Sequence, residues 1–203
     1  MHMRINELRA LDAVAARTSL DLVAHSTPAD FAKPTPCEAW TLYGLVAHMT
    51  TQNLGFAAAA AGDGDPDRWK LVSLGDDPIA TYRDSVKQVL DAFAVIDRAE
   101  LPLPEFSTEI TFSPEQVLGF HLVDYVVHSW DVARSLGLPV AFDQDVLDAA
   151  LRITESVPGG QSRLAPGAPF GPAAEVGELS GLDRVVALLG RSPRWPDRLG
   201  LPV

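Results

Sequence analysis

From Ser113 to Gly137 the sequence reads "SPEQVLGFHLVDYVVHSWDVARSLG", a helix marked at both ends and apolar around most of its circumference. Ser113, Pro114 and Gln116 form a capping box with proline at the first helical position. Gly137, followed by Pro139, supplies a left-handed C-cap. At about 100° per residue, His121, Asp124, Tyr125, His128, Val132 and Ser135 share one arc of about a third of the helix. The remainder is Leu122, Val123, Val126, Val127, Trp130, Ala133 and Leu136, which calls for neighbouring helices.

Those neighbours are readable in the same terms. Leu8, Leu11, Val14, Ala15 and Leu22 recur at helical spacing between Asn6 and about Ser26. Thr41 is an N-cap for "LYGLVAHMTTQNLGFAAAAA", which carries His48 and stops at "GDGDP". Asp77 and Pro78 open a third helix. A proline-marked linker with a short extended piece at "TEITF" then leads to the long helix, and a fifth begins after Asp143. A short helix capped by Ser180 and closed by Gly190 precedes a tail rich in Arg and Pro. The pattern predicts an all-α fold: an up-and-down four-helix bundle over about 4–157 with a C-terminal extension over 158–203, together one domain.

Charge and cysteine usage narrow the function classes. Among 203 residues, 16 Lys plus Arg face 27 Asp plus Glu, for a net charge of -11, which repels nucleic acid and anionic membrane surfaces. One cysteine, Cys37, excludes an internal disulfide and an all-cysteine zinc site, and suits a reducing compartment. The N-terminus has charges where a signal peptide needs an apolar run, and no segment reaches membrane-spanning length. The expected location is the cytoplasm.

The polar arc of the long helix is either its wet face or a site. A wet face has no reason to choose His over Lys, Glu or Arg, which are better helix formers and easily solvated. Asp124 and His128 stand four apart, so their side chains meet one turn from each other and can share one ion. A third ligand must come from elsewhere. His2 lies near the terminus and His25 at a helix end, whereas His48 sits mid-helix on a face with Thr41, Leu45, Gln52 and Gly55. A lone His there is ordinarily a hydrogen-bonded core residue, but joined to the Asp/His pair it completes His₂Asp, the ligand count of a catalytic divalent-metal site with open positions.

Two stretches carry a family resemblance. "TPCEAWTLYGLVAHM" resembles the "TPC, two residues, W, then L-x-x-H" signature of the DinB-like superfamily, in the branch typified by mycothiol-dependent maleylpyruvate isomerase and its metal-binding relatives. "DYVVHSWDVARSLG" is similar to that branch's second signature, an acidic residue, three others, H, then W-D-x-A-x-x-x-G, and "LLGRSP" resembles the "GR-x-P" close of one subgroup. Carried over, the metal ligands fall on His48, Asp124 and His128. The branch's isomerase has Glu where this chain has Asp124, one methylene shorter, and its second domain finds no counterpart in the C-terminal region here.

The resemblance implies a low-molecular-weight thiol of the mycothiol type and a small electrophilic substrate, hence an S-transferase or isomerase. Soft sulfur favours zinc, with nickel or cobalt as alternatives, over magnesium. The rival reading is a non-catalytic metal-binding or partner-binding helical protein; a homodimer is compatible with either.

Other residues have two readings each. Cys37 is a thiolate nucleophile or a small buried spacer, and with only Lys33 as a nearby cation the spacer is preferred. Trp40 and Trp130 read as core. Asp131 orients His48 or His128, or pairs with Arg134. His121 is an alternative ligand, a base near the metal, or part of the arc's bland face.

Overall fold

The computed structural model describes residues 3–37, 40–164, 170–174 and 177–196. Four long helices form the body: α1 (Ile5–Val23), α2 (Leu42–Ala60), α3 (Pro78–Ala94) and α4 (Pro114–Leu136). They are followed by α5 (Gln144–Ser156) and α6 (Gly181–Leu188). The expected all-α, DinB-like bundle with a C-terminal extension is the observed architecture. A small antiparallel hairpin, β1 (Leu101–Leu103) and β2 (Ser107–Phe112), crosses between α3 and α4, with Leu101 opposite Phe112 and an irregularity after Pro102. The "TEITF" piece is most of β2.

The helix ends follow the residues that mark them. Thr41 Oγ1 accepts from Gly44 N, and Asp77 caps α3 through Ala80 N with Pro78 at the first turn. Ser113 and Gln116 form both halves of the capping box, and Gly137 takes φ 72°, the left-handed conformation at which a side chain would be strained.

Within the body, α1 packs chiefly on α4 and α2 chiefly on α3; α5 and α6 pack on each other, and α5 also leans on α1 and α4. Leu45, Met49, Phe56, Tyr82, Leu118, Leu122 and Tyr125 are among the fully buried side chains of the shared core. Sequence spacing misjudged one face. Val14, expected inward, is exposed, whereas Asp12 is buried on the face it shares with Leu8, Ala15, Ser19 and Leu22. Among the described residues no helix is long and apolar enough to cross a membrane.

Candidate metal centre

α4 is buried nearly all round, and its polar arc turns inward onto α2 and α1. His48 comes from the middle of α2, and Asp124 and His128 from successive turns of α4. One ligand atom from each of the three lies within 4.8 Å of the others. His128 Nε2 is 3.3 Å from Asp124 Oδ1, and the His48 and His128 rings meet nearly at right angles with centroids 5.3 Å apart. His25 lies at the exposed end of α1, bonded to the Asp21 carbonyl, and His2 falls outside the described residues.

The loop before α2 builds the other side. Thr35 Oγ1 bonds the carbonyls of Cys37 and Trp40, folding "TPC" back on itself. Trp40 then stacks on His48, centroids 4.3 Å apart and planes 27° from parallel. Trp40 is thus half-buried against His48 in place of being simple core. Gly44, one turn before His48, leaves room for it, since a Cβ there would come within 3.2 Å of the Trp40 side chain.

Electrostatics divide the two histidines. Burial and the positive charge of neighbouring His128 press His48 down from 6.5 to about 4. Burial also opposes charge on His128, but the Asp124 carboxylate beside it and the hydrogen bond that its Nδ1 donates to Asp131 overcome this and raise it to about 9. Asp124, pushed up by burial, is held down at about 2 because His128 lies against it. One oxygen of Asp124, Oδ2, is buried without a hydrogen-bond partner. Two imidazoles, a carboxylate with an unsatisfied oxygen and this separation fit a divalent ion of the borderline class.

Of the partners open to Asp131, His128 is the one it takes: its Oδ2 lies 2.9 Å from His128 Nδ1, and its arginine is Arg191, at 3.2 Å through Nη2, not Arg134. Arg134 instead covers Trp130 and reaches the Pro193 carbonyl. The "LLGRSP" signature marked Arg191, but nothing in its local sequence tied it to α4. Arg191 also lies within electrostatic reach of Cys37, while Lys33 is engaged with Asp30 at 2.7 Å, so the expectation that Lys33 is the cation beside Cys37 is corrected. Glu105, in the hairpin turn, accepts from Gln52 Nε2 at 2.9 Å, one turn of α2 beyond His48, and burial raises its carboxyl.

His121 is not in the cluster. Its ring is fully buried, with Nδ1 2.6 Å from Asp12 Oδ1 and Nε2 3.2 Å from Asn53 Oδ1, and it stacks on Tyr125. The inward Asp12 of α1, not anticipated from α1's own pattern, draws it away from Asp124.

The model of the mycothiol maleylpyruvate isomerase N-terminal domain matches residues 13–133, more than half of the chain. The chain belongs to this family. The match spans both the His48 and the Asp124/His128 segments. Among relatives, the uncharacterized proteins Rv0738 and MT0763, from two strains of Mycobacterium tuberculosis, are each 28% identical over 192 residues, covering 92% of this chain and 96% of theirs. Two crystal structures of the mycothiol-dependent maleylpyruvate isomerase, one of a histidine-to-alanine mutant, share the fold. Their TM-scores are 0.59 and 0.60 at 17% and 15% identity, over 75% of this chain and 68% of theirs. The mycothiol maleylpyruvate isomerase N-terminal domain family therefore accounts for the bundle, while the segment beyond residue 133, including Arg191, lies outside the matched region.

Proposed function

We propose that this protein is a divalent-metal-dependent enzyme that transfers or uses a low-molecular-weight thiol of the mycothiol type on a small electrophile, with His48, Asp124 and His128 as the metal ligands. The bundle over 4–157 and the extension over 158–203 act as one unit in this reading. The observation that carries it is the convergence of those three side chains, beside which Asp124 keeps one buried oxygen, Oδ2, without a hydrogen-bond partner. Family membership supports the thiol, since the crystal structures that share the fold are of a mycothiol-dependent isomerase.

Three protein ligands leave room for exogenous donors, and a bound zinc, nickel or cobalt ion would lower the pKa of an incoming thiol and present it as thiolate. The residues do the rest. Asp131 accepts from Nδ1 of His128 and leaves Nε2 toward Asp124. Trp40 fixes the plane of His48 and shields one of its faces. Burial keeps His48 neutral and able to ligate. Asp124 is ionised, so it offers a charged oxygen without a further proton loss.

The decisive experiment is elemental analysis of untagged wild type beside His128→Ala, followed by titration of the cobalt form with a small thiol. The expected result is one equivalent of metal in wild type, its loss in the variant, and a sulfur-to-metal charge-transfer band that His48→Ala abolishes. Metal-free wild type that also rejects added cobalt would end the reading. Tight cobalt with a thiol-blind spectrum would transfer the site to a structural or regulatory metal.

A further inference from the structure

We infer that Arg191, delivered by the C-terminal segment from outside the family-matched region, is a positioning residue of the His48, Asp124 and His128 site, acting through Asp131 on the ring of His128. The inference rests on the metal reading above and adds a component to it.

Arg191 is only 7% exposed, and burying a guanidinium costs free energy unless it is paired. Its partner is Asp131, itself fully buried, at 3.2 Å. The same carboxylate oxygen, Oδ2, receives Nδ1 of His128 at 2.9 Å. Two donors of fixed direction converging on one oxygen hold that carboxylate in a single rotamer. The ring of His128 is thereby turned so that Nε2 faces Asp124 at 3.3 Å. A carboxylate that accepts from the far nitrogen of a ligating His sets its tautomer and orientation. Here the carboxylate is in turn steered by an arginine 60 residues further along the chain.

The backbone is shaped to make the delivery. At the end of α6, Gly190 takes φ 85°, and a Cβ on it would stand 2.9–3.0 Å from the Gly171 backbone, so only glycine fits. That turn, fastened by Arg191 N to the Val186 carbonyl at 2.9 Å, aims residue 191 back into the bundle. Arg191 Nη1 meets the Leu189 carbonyl at 3.1 Å, fixing the guanidinium plane.

The test compares full-length wild type, Arg191→Met, Arg191→Lys, Asp131→Asn and the Arg191→Met/Asp131→Asn double variant for cobalt affinity, by competition with a chromophoric chelator, and for the visible spectrum of bound cobalt. Asp131→Asn and Arg191→Met should each weaken cobalt roughly 10- to 100-fold and shift the cobalt d–d bands. The double variant should be no weaker than the worse single variant, and Lys at 191 should recover part of the loss. A merely structural Arg191 would lower the melting temperature of the metal-free protein while leaving affinity and spectrum untouched, or its effect would add in full to that of Asp131→Asn; either overturns the inference. Should Arg191→Met not fold, unchanged cobalt affinity in the near-isosteric Asp131→Asn overturns it equally. Wild type that binds no cobalt, or His48→Ala that binds it as well as wild type, would instead defeat the metal reading itself, an outcome separate from failure of the arginine.

Discussion

His121 and Asp12 lie 109 residues apart in sequence and meet in the core at 2.6 Å, both with no exposed surface. Asn53 Nδ2 donates to Ser85 Oγ, which donates to the Tyr82 carbonyl, so Asn53 Oδ1 faces His121 as an acceptor. Both nitrogens of His121 therefore point at acceptors. Replacing His121 by Leu strands the Asp12 carboxylate, one oxygen of which already lacks a partner. The expected cost is about 3–5 kcal/mol of unfolding free energy, read from urea denaturation, with the Asp12→Leu/His121→Leu double variant less damaged than either single one. Equal or greater damage in the double variant would show that the pair is not coupled.

Filling the site with a divalent ion should release a proton. In the metal-free protein His128 is raised from 6.5 to about 9, so its pairing with Asp124 and Asp131 stabilises the fold fully below pH 6.5 and fades as pH climbs through about 9. Ligation needs Nε2 unprotonated. Metal addition in weak buffer at pH 7.5 should acidify the solution by close to one proton per ion, and by much less at pH 10. The melting temperature of the metal-free protein should fall between pH 7 and 9 and that of the loaded protein should not. Uptake without proton release would mean that His128 is not a ligand.

Trp40 controls the hydration of His48. Burial is the largest reason that His48 titrates at about 4, and Trp40 covers one face of its ring. Trp40→Ala should therefore move the His48 midpoint upward in metal-free protein, followed by imidazole NMR, and should weaken metal at pH 5.5 more than at pH 8. A midpoint that stays near 4 would assign the burial to the bundle alone.

Gly55 holds a place for an aromatic ring. A Cβ there would stand 2.6 Å from the Trp69 indole, which packs edge-on against Phe56 with centroids 5.2 Å apart. Gly55→Ala should expel Trp69, destabilise by about 1–3 kcal/mol, and shift tryptophan emission to the red. Unaltered emission would mean that the 3-10 turn Pro66–Trp69 yields without cost.

Three of the four long helices were legible from local instructions, Thr41, Asp77 and Ser113 at their starts and Gly137 at the end of α4, whereas α1, without a side-chain cap, was legible only from its apolar spacing. The meeting of His48, Asp124 and His128 was legible because histidine and aspartate at those spacings have no reason to face water. What escaped depends on partners distant in sequence. Asp12 looks like an ordinary exposed residue until α4 brings His121 to it. Arg191 sits in a tail whose composition suggests only a turn, and its contact with Asp131 spans 60 residues. His121 shares an arc with Asp124, and helical geometry alone could not say which of them would meet α1.

Because α1 adheres mainly to α4 and α2 mainly to α3, the body is two helical couples laid side by side, and His48 faces Asp124 and His128 across the seam. An ion there would be a rivet through that seam, shutting a loop of some eighty residues whose closure is otherwise left to packing. Hydrogen exchange along α2 should therefore quicken when the ion is stripped, while α1 against α4, pinned separately by Asp12 and His121, keeps its pace. The chain would thus behave as a clasp that metal fastens, its breathing confined to the couple that α2 forms with α3.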